Sequence, residues 1–248
     1  MKISSKIVCV ALACVLSGCA GAPENRSEMP PEKLYAAAQA YFKKTDYEKA
    51  AEYFDEVEKA HPYSEWAARA SIMSAYSFYK RNAYDDAVLA LDRFIQLHPG
   101  NRNTPYAYYL KGLCFYEQMS DAAREQKMTE QAVATFEEML ARHPNAIYAA
   151  DARAKLAAAY DCMAGQEMAV GRYYLRRCDY MPALNRFQAV VEGYPGTNQV
   201  PEAMYRMGVS YAALGMVDMA EKTMKRMAER FPKSEWTQAL MKDVKKAK

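Results

Sequence analysis

Gly171-Arg172-Tyr173-Tyr174, then Ala183-Leu184-Asn185-Arg186-Phe187, Val190 and Tyr194-Pro195: the skeleton of this stretch occurs five times and decides the fold. Its second half reads Ala-x3-apolar-x2-apolar-x4-Pro. It appears as Ala50, Phe54, Val57, Pro62, and again as Ala87, Leu91, Phe94, Pro99. It returns as Ala132, Phe136, Met139, Pro144, then Ala183, Phe187, Val190, Pro195, and last as Ala220, Met224, Met227, Pro232. The step from Ala to Pro is 12 each time. A fixed internal period marks a stacked-repeat architecture, in which each unit buries its apolar face only against its neighbours.

The first half of the skeleton repeats as well. Twelve residues before the marker alanine stand Ala38, Ala75, Gly112, Gly171 and Gly208, once eight extra residues are removed from the third repeat. Nine before it stand Tyr41, Phe78, Phe115, Tyr174 and Tyr211. A small residue lets two antiparallel helices approach, and an aromatic three places on fills the gap beside it. Proline then ends the second helix, since it lacks an N–H and restricts the residue before it. This order of residue types resembles the tetratricopeptide repeat. We therefore expect an all-α superhelical solenoid of five helix pairs.

The prolines are 37, 45, 51 and 37 residues apart, against about 34 in the usual repeat. The 45 holds a polar insertion at residues 120–127. The 51 holds an alanine-rich helical stretch at residues 148–163, roughly 20 Å of extra helix before repeat four. This divides the chain into repeats one to three, residues 32–144, and a second part, residues 145–248, with the connecting helix and repeats four and five. Ser234 is a good N-cap for a final helix from Glu235 to about Lys246, which would cover the open end of the stack.

The beginning of the chain carries an address. Lys2 and Lys6 precede an apolar run at residues 7–16, and then comes Leu16-Ser17-Gly18-Cys19. A positive start, an apolar middle too short to span a bilayer and small residues before a cut site describe an export signal, residues 1–18. The cysteine makes it resemble the lipobox of bacterial lipoproteins. That resemblance implies a mature N-terminus at Cys19 carrying N-acyl and S-diacylglycerol chains, and residues 19–31 as a tether. Ala20, rather than Asp, after the cysteine points to the outer membrane.

Composition excludes several functions. The net charge is +3, or +1 without Lys2 and Lys6, which is no footprint for nucleic acid. Cys114, Cys162 and Cys178 remain after the signal and the lipidated cysteine. With no CxxC and no paired histidines they do not make a zinc site; a bridge between Cys162 and Cys178 stays open. His61, His98 and His143 each stand just before a marker proline, which makes them helix-end residues rather than a catalytic set. The chain has no nucleophile elbow, Walker loop or H-E-x-x-H. We expect no enzyme, no metal and no cofactor beyond the covalent lipid.

In this repeat type the first helix of each pair lines the concave side. The stripe six and two residues before the packing aromatic, and one after it, has the spacing of one helix face. It gives Tyr35, Gln39 and Phe42, then Ile72, Tyr76 and Tyr79, then Tyr109, Leu113 and Tyr116 with Tyr106 one turn earlier. Repeat four gives Met168, Arg172 and Leu175 with Arg176 and Arg177 beside them. Repeat five gives Tyr205, Val209 and Ala212. Tyrosines supply contact area at low entropic cost, so a groove for aromatic-ended peptides is expected along Tyr35, Phe42, Ile72, Tyr76, Tyr79, Tyr106 and Tyr116. The Lys and Asn clamp that grips C-terminal carboxylates in one subclass is absent; Tyr35, Gln39, Ile72 and Tyr76 stand there.

Repeats of this kind behind a lipobox resemble the BamD family, lipoproteins of the outer-membrane β-barrel assembly (BAM) machine. The resemblance rests on Tyr47-Glu48-Lys49-Ala50-Ala51, on His143-Pro144-Asn145 with Tyr148-Ala149 and Asp151-Ala152, and on the fourth repeat quoted above. Tyr194-Pro195-Gly196-Thr197 and Glu202-Ala203 extend it. It implies a non-catalytic scaffold on the periplasmic face of the outer membrane. Its partners would be the POTRA domain of the barrel subunit BamA, other BAM lipoproteins and unfolded outer-membrane β-barrel precursors. The family's interface arginine falls on Arg186, beside Asn185, where a guanidinium suits a carboxylate. The short insertion at 120–127 departs from relatives with longer loops. A pilotin-like lipoprotein and a Tol–Pal-associated one are the alternatives.

Overall fold

The apolar positions of the repeated skeleton fall on one face of a helix, and the chain folds accordingly. The computed structural model describes residues 26–121 and 125–246. After a short 3-10 turn at Arg26–Glu28, its helices are α1 (Pro31–Lys43), α2 (Tyr47–Ala60), α3 (Ala67–Lys80), α4 (Tyr84–Leu97), α5 (Thr104–Tyr116) and α6 (Lys127–Arg142). Then follow α7 (Ala149–Arg176), α8 (Tyr180–Gly193), α9 (Val200–Ala213), α10 (Val217–Arg230) and α11 (Glu235–Lys246). Each helix packs on the next, and α1–α3, α3–α5 and α5–α7 also touch, giving an inner layer of first helices and an outer layer of second helices. The signal at 1–18, the lipidation site Cys19 and most of the tether lie outside the described residues.

The marker residues hold the pairs together. Ala50, Phe54 and Val57, and their counterparts in repeats two to four, are fully buried. In repeat five Ala220 and Met227 are buried and Met224 is half-buried. Each buried phenylalanine stabilises the fold by about 2–3 kcal/mol. The small residue is required by distance. A Cβ on Gly112 would lie 2.5 Å from the Phe136 ring, and one on Gly171 the same distance from Phe187. Gly208 meets Leu240 of α11 instead: the last first-helix packs on the terminal helix, whose Leu240 and Val244 are buried. The Trp236 N–H donates to Ser234 Oγ at 3.3 Å, capping α11.

The turns repeat too. Within a pair, the chain reverses through a residue in the left-handed region, Thr45, Asn82, Cys178 or Gly215, with φ between 60 and 73°. In repeat three a longer loop does this work. The Cys162 thiol contacts that loop, at 3.5 Å from the Ser120 carbonyl and 3.4 Å from Gln126 Oε1. Between pairs, the N–H three residues past the histidine, or past its Tyr194 or Phe231 counterpart, bonds back to that residue's carbonyl at 3.0–3.1 Å in every repeat.

The extra helical residues before repeat four are present and run unbroken into its first helix. The resulting α7 has 28 residues and is about 42 Å long. Its first part packs on α5 and α6, and its second part pairs with α8. Cys162 and Cys178 are both free. They are 16 residues apart along and just past α7, about 24 Å, so no bridge forms between them.

Candidate binding surfaces

The expected groove stripe divides into two halves with different fates. Tyr35 and Ile72, six residues before the packing aromatic, are each 6% exposed. Expected in the groove, they belong to the core instead. Tyr35 packs edge-on to Phe54 at 5.2 Å and against Trp66 at 4.9 Å. Ile72 belongs to the cluster around Leu91, Phe94 and Leu110. The reason lies in the turn between pairs, which folds over the N-terminal half of the first helix and leaves only its C-terminal half open.

On that open half the rings form a row. Phe42 and Tyr76 stack at 5.6 Å, and Tyr76 and Tyr79 at 6.2 Å. Tyr47 and Tyr84 close its sides, edge-on to Phe42 and Tyr79. Tyr106 continues it. Burial pushes its hydroxyl pKa up, and the nearby hydroxyls of Tyr76, Tyr148 and Tyr79 push it further. Tyr148 stacks on Tyr109 at 5.0 Å and meets Tyr106 at 5.1 Å. Tyr116 lies at the end, with Lys155 Nζ 5.0 Å above its ring. Phe42, Tyr76, Tyr79, Tyr106 and Tyr116 are all half-buried.

Two carboxylates fringe the row. Tyr79 donates to Glu117 at 3.4 Å and Tyr109 to Asp151 at 2.6 Å. Burial, then the negative charge of Glu117, raises the Tyr79 hydroxyl to about 12. These hydroxyls therefore stay protonated at neutral pH, and the row offers uncharged ring faces and O–H donors.

Tyr148 was not foreseen, nor were Trp66 and Trp236. All three stand four residues past a marker proline, and each packs on the residue six before a packing aromatic: Trp66 on Tyr35, Tyr148 on Tyr109, Trp236 on Tyr205. That fixed offset was available in the sequence.

The inner side of repeats four and five is ionic. Arg172 bonds to Glu202 at 3.0 Å and Arg206 bonds to the same oxygen at 2.6 Å. Burial works to raise the Glu202 pKa, but the hydrogen bonds from Arg206 and Arg172 outweigh it and hold the carboxyl below its ordinary value. The expected basic stripe is thus partly neutralised. Arg177 also pairs, with Asp179 at 3.3 Å.

Asn185 and Arg186 are exposed on α8. The Arg186 guanidinium donates to both oxygens of Glu167 on α7, at 3.1 and 3.4 Å. A hollow of about 300 Å³ lies here, lined by Glu167, Tyr174, Pro182, Asn185, Arg186 and Ala189. The histidines are structural: His61 Nε2 donates to the Met29 carbonyl at 2.7 Å, and His98 and His143 pack on Phe94 and Tyr108. Among the described residues no His, Cys, Asp and Glu group could hold a metal ion, and no helix is long and apolar enough to cross a membrane.

Residues 27–227 match the model of the YfiO family, described as an outer membrane lipoprotein. The chain is 39% identical over 234 residues to the outer membrane protein assembly factor BamD of Caulobacter vibrioides, covering 93% of this chain and 77% of that one. It is 36% identical to the BamD of Rickettsia prowazekii, covering 95% and 93%, and 33% identical to that of Neisseria meningitidis serogroup A, covering 92% and 91%. Similarity of this extent leaves no long segment of the repeats unmatched, and the chain belongs to the BamD family of outer-membrane lipoproteins.

Proposed function

We propose that this protein is a non-catalytic assembly factor for outer-membrane proteins, anchored by lipid on Cys19 at the periplasmic face of the outer membrane. The observation that carries this reading is its similarity to curated assembly factors over more than nine tenths of its length. Within it the two surfaces take two partners. The ring row of repeats one to three holds unfolded β-barrel precursors, whose final strand is aromatic-ended. Stacking is tolerant of sequence and needs only a ring face and a donor. The Asn185 and Arg186 face of α8 meets the POTRA domain of the barrel subunit BamA, with other BAM lipoproteins alongside. Arg186 reaches a partner carboxylate by exchanging Glu167, at small cost, since exposed ion pairs contribute about 0–1 kcal/mol.

Purification of the lipidated protein from outer membranes tests the reading. Stoichiometric recovery of a POTRA-bearing barrel subunit, lost in Arg186→Leu at unchanged thermal stability, is the expected outcome. Recovery of a secretin or of Tol–Pal components instead would remove the pathway and leave fold and family standing. Exported behind a signal that is cut without lipidation, the mature chain with Cys19→Ser is expected to leave membranes in a high-salt or alkaline wash, whereas the parent needs detergent; retention of the variant through that wash would contradict the anchor.

A further inference from the structure

The turns inside the helix pairs all lie along one edge of the stack, and that edge changes character from one end to the other. Two residues before the marker alanine stand Glu48 and Asp85 in repeats one and two, but Met181 in repeat four. Four before it, Asp46 and Ala83 give way to Met216 in repeat five; six before it, Lys44 and Arg81 give way to Leu214. The C-terminal part of the edge thus carries Tyr173, Met181, Leu214, Met216 and Met219, each between 36 and 53% exposed. The other large exposed apolar side chains are scattered: Tyr63 and Ile147 sit two repeats apart on the opposite edge, Leu89 and Leu97 on the outer helix α4, and Met241 on α11. Single exposed apolar residues are ordinary, whereas a group on adjacent turns is not.

Among the exposed charges around this group, cations outnumber carboxylates. Arg176 and Lys222 are exposed beside it. Arg177 is there too, paired with Asp179; Asp218 is the other exposed carboxylate, and Glu221 and Asp243 stand half-buried beside Lys222 and Lys242. Because α11 packs on α9 in the manner of a further first helix, its C-terminal part, with the exposed Lys242, runs toward the same edge. The hollow beside Arg186 does not include these apolar tips. They project from turns rather than line a groove, which suits a flat, deformable, anionic surface better than a helix or strand. Long flexible methionines adapt to such a surface, and each nearby Lys or Arg adds about 1 kcal/mol on an anionic leaflet.

We propose that this edge of repeats four and five is a second membrane contact, in which the Met and Leu tips enter the interface of an anionic bilayer and the flanking cations meet its headgroups. The lipid anchor already holds the chain on the membrane; an interfacial edge on repeats four and five would add a second contact and fix the orientation of the stack. The proposal rests on the anchored reading only for its setting, and its test uses no anchor.

The mature chain, residues 19–248 with Cys19→Ser, which cannot be acylated there, is floated with vesicles of phosphatidylethanolamine and phosphatidylglycerol at 3:1, and with phosphatidylcholine vesicles. Binding to the anionic vesicles, at least tenfold weaker on phosphatidylcholine and at least tenfold weaker in Met216→Glu/Met219→Glu, is expected. Both substitutions fall in the N-cap and first turn of α10, where a carboxylate suits the helix dipole. Unfolding would therefore not explain a loss, and an unchanged melting curve checks this. Equal binding to both vesicle types, no binding by the parent chain, or unaltered binding by the double variant would each overturn the proposal. So would a double variant that keeps vesicle binding and loses the barrel subunit, which would make the edge a protein interface.

Discussion

At the position two residues before the packing aromatic, repeat two carries Tyr76 and repeat four carries Arg172. At the position nine before it, repeat three carries Tyr106 and repeat five carries Glu202. In both halves these two positions come together across neighbouring first helices, as two tyrosines with nearby hydroxyls in one half and as an ion pair in the other. Ring stacking uses part of each face and leaves the rest open, and it depends little on salt. Glu202 Oε1, by contrast, already accepts from two guanidiniums of its own chain. One repeat geometry thus gives an inner side that can still bind and an inner side already occupied.

The largest effects should be equal in the two halves, because the core beneath is the same. Phe54→Ala and Phe187→Ala are each expected to cost about 3–5 kcal/mol, measured by denaturant unfolding. Tyr35→Ala belongs with them, as a core deletion rather than a binding variant; a Tyr35→Ala protein of parent stability with weakened peptide binding would restore Tyr35 to the groove.

Next comes Glu202→Ala, which leaves Arg172 and Arg206 half-buried and unpaired, at about 2–3 kcal/mol. The carboxyl is held below its ordinary value in the folded state. Its contribution is therefore complete above about pH 4.3 and is lost as pH falls below that, through the depressed folded value. The chain has two tryptophans, one in each half. Trp66 stacks on Tyr35, while Trp236 lies on Tyr205 with the Arg206 guanidinium 6.0 Å away. In single-tryptophan variants, Trp236→Phe and Trp66→Phe, acid and 1 M salt should disturb the Trp236 signal before the Trp66 signal. Simultaneous change would break the contrast between ions and rings.

The marker positions, the small residue, the long connecting helix and the bounds of α11 were legible in the sequence because each follows from local spacing. The burial of Tyr35 and Ile72 was not. They share a helical face with Phe42 and Tyr76, and only the turn closing over the N-terminal half separates them. The partners of Arg172 and Arg186 were equally hidden. Glu202 and Glu167 are 30 and 19 residues away, and no periodicity announces which of many helix-face carboxylates will meet a given arginine.

Smaller effects test the surfaces themselves. Tyr76→Ala, which removes stacking on Phe42 and Tyr79, is expected to cost about 1–2 kcal/mol of stability and to weaken a fluorescent barrel-precursor C-terminal peptide severalfold. Arg186→Leu is expected to change stability by less than about 1 kcal/mol while releasing the barrel subunit. A large loss of stability in Arg186→Leu would show the Glu167 pair to be structural.

The comparison is tested most directly by placing a photo-crosslinking phenylalanine analogue at Tyr79 and, separately, at Leu175. Both residues stand one place after a packing aromatic and both are half-buried. Irradiated with an aromatic-ended C-terminal precursor peptide, the protein labelled at Tyr79 should form the adduct and the one labelled at Leu175 should not. Equal labelling, or labelling at Leu175 alone, would contradict the assignment of substrate to the ring row of the first three repeats.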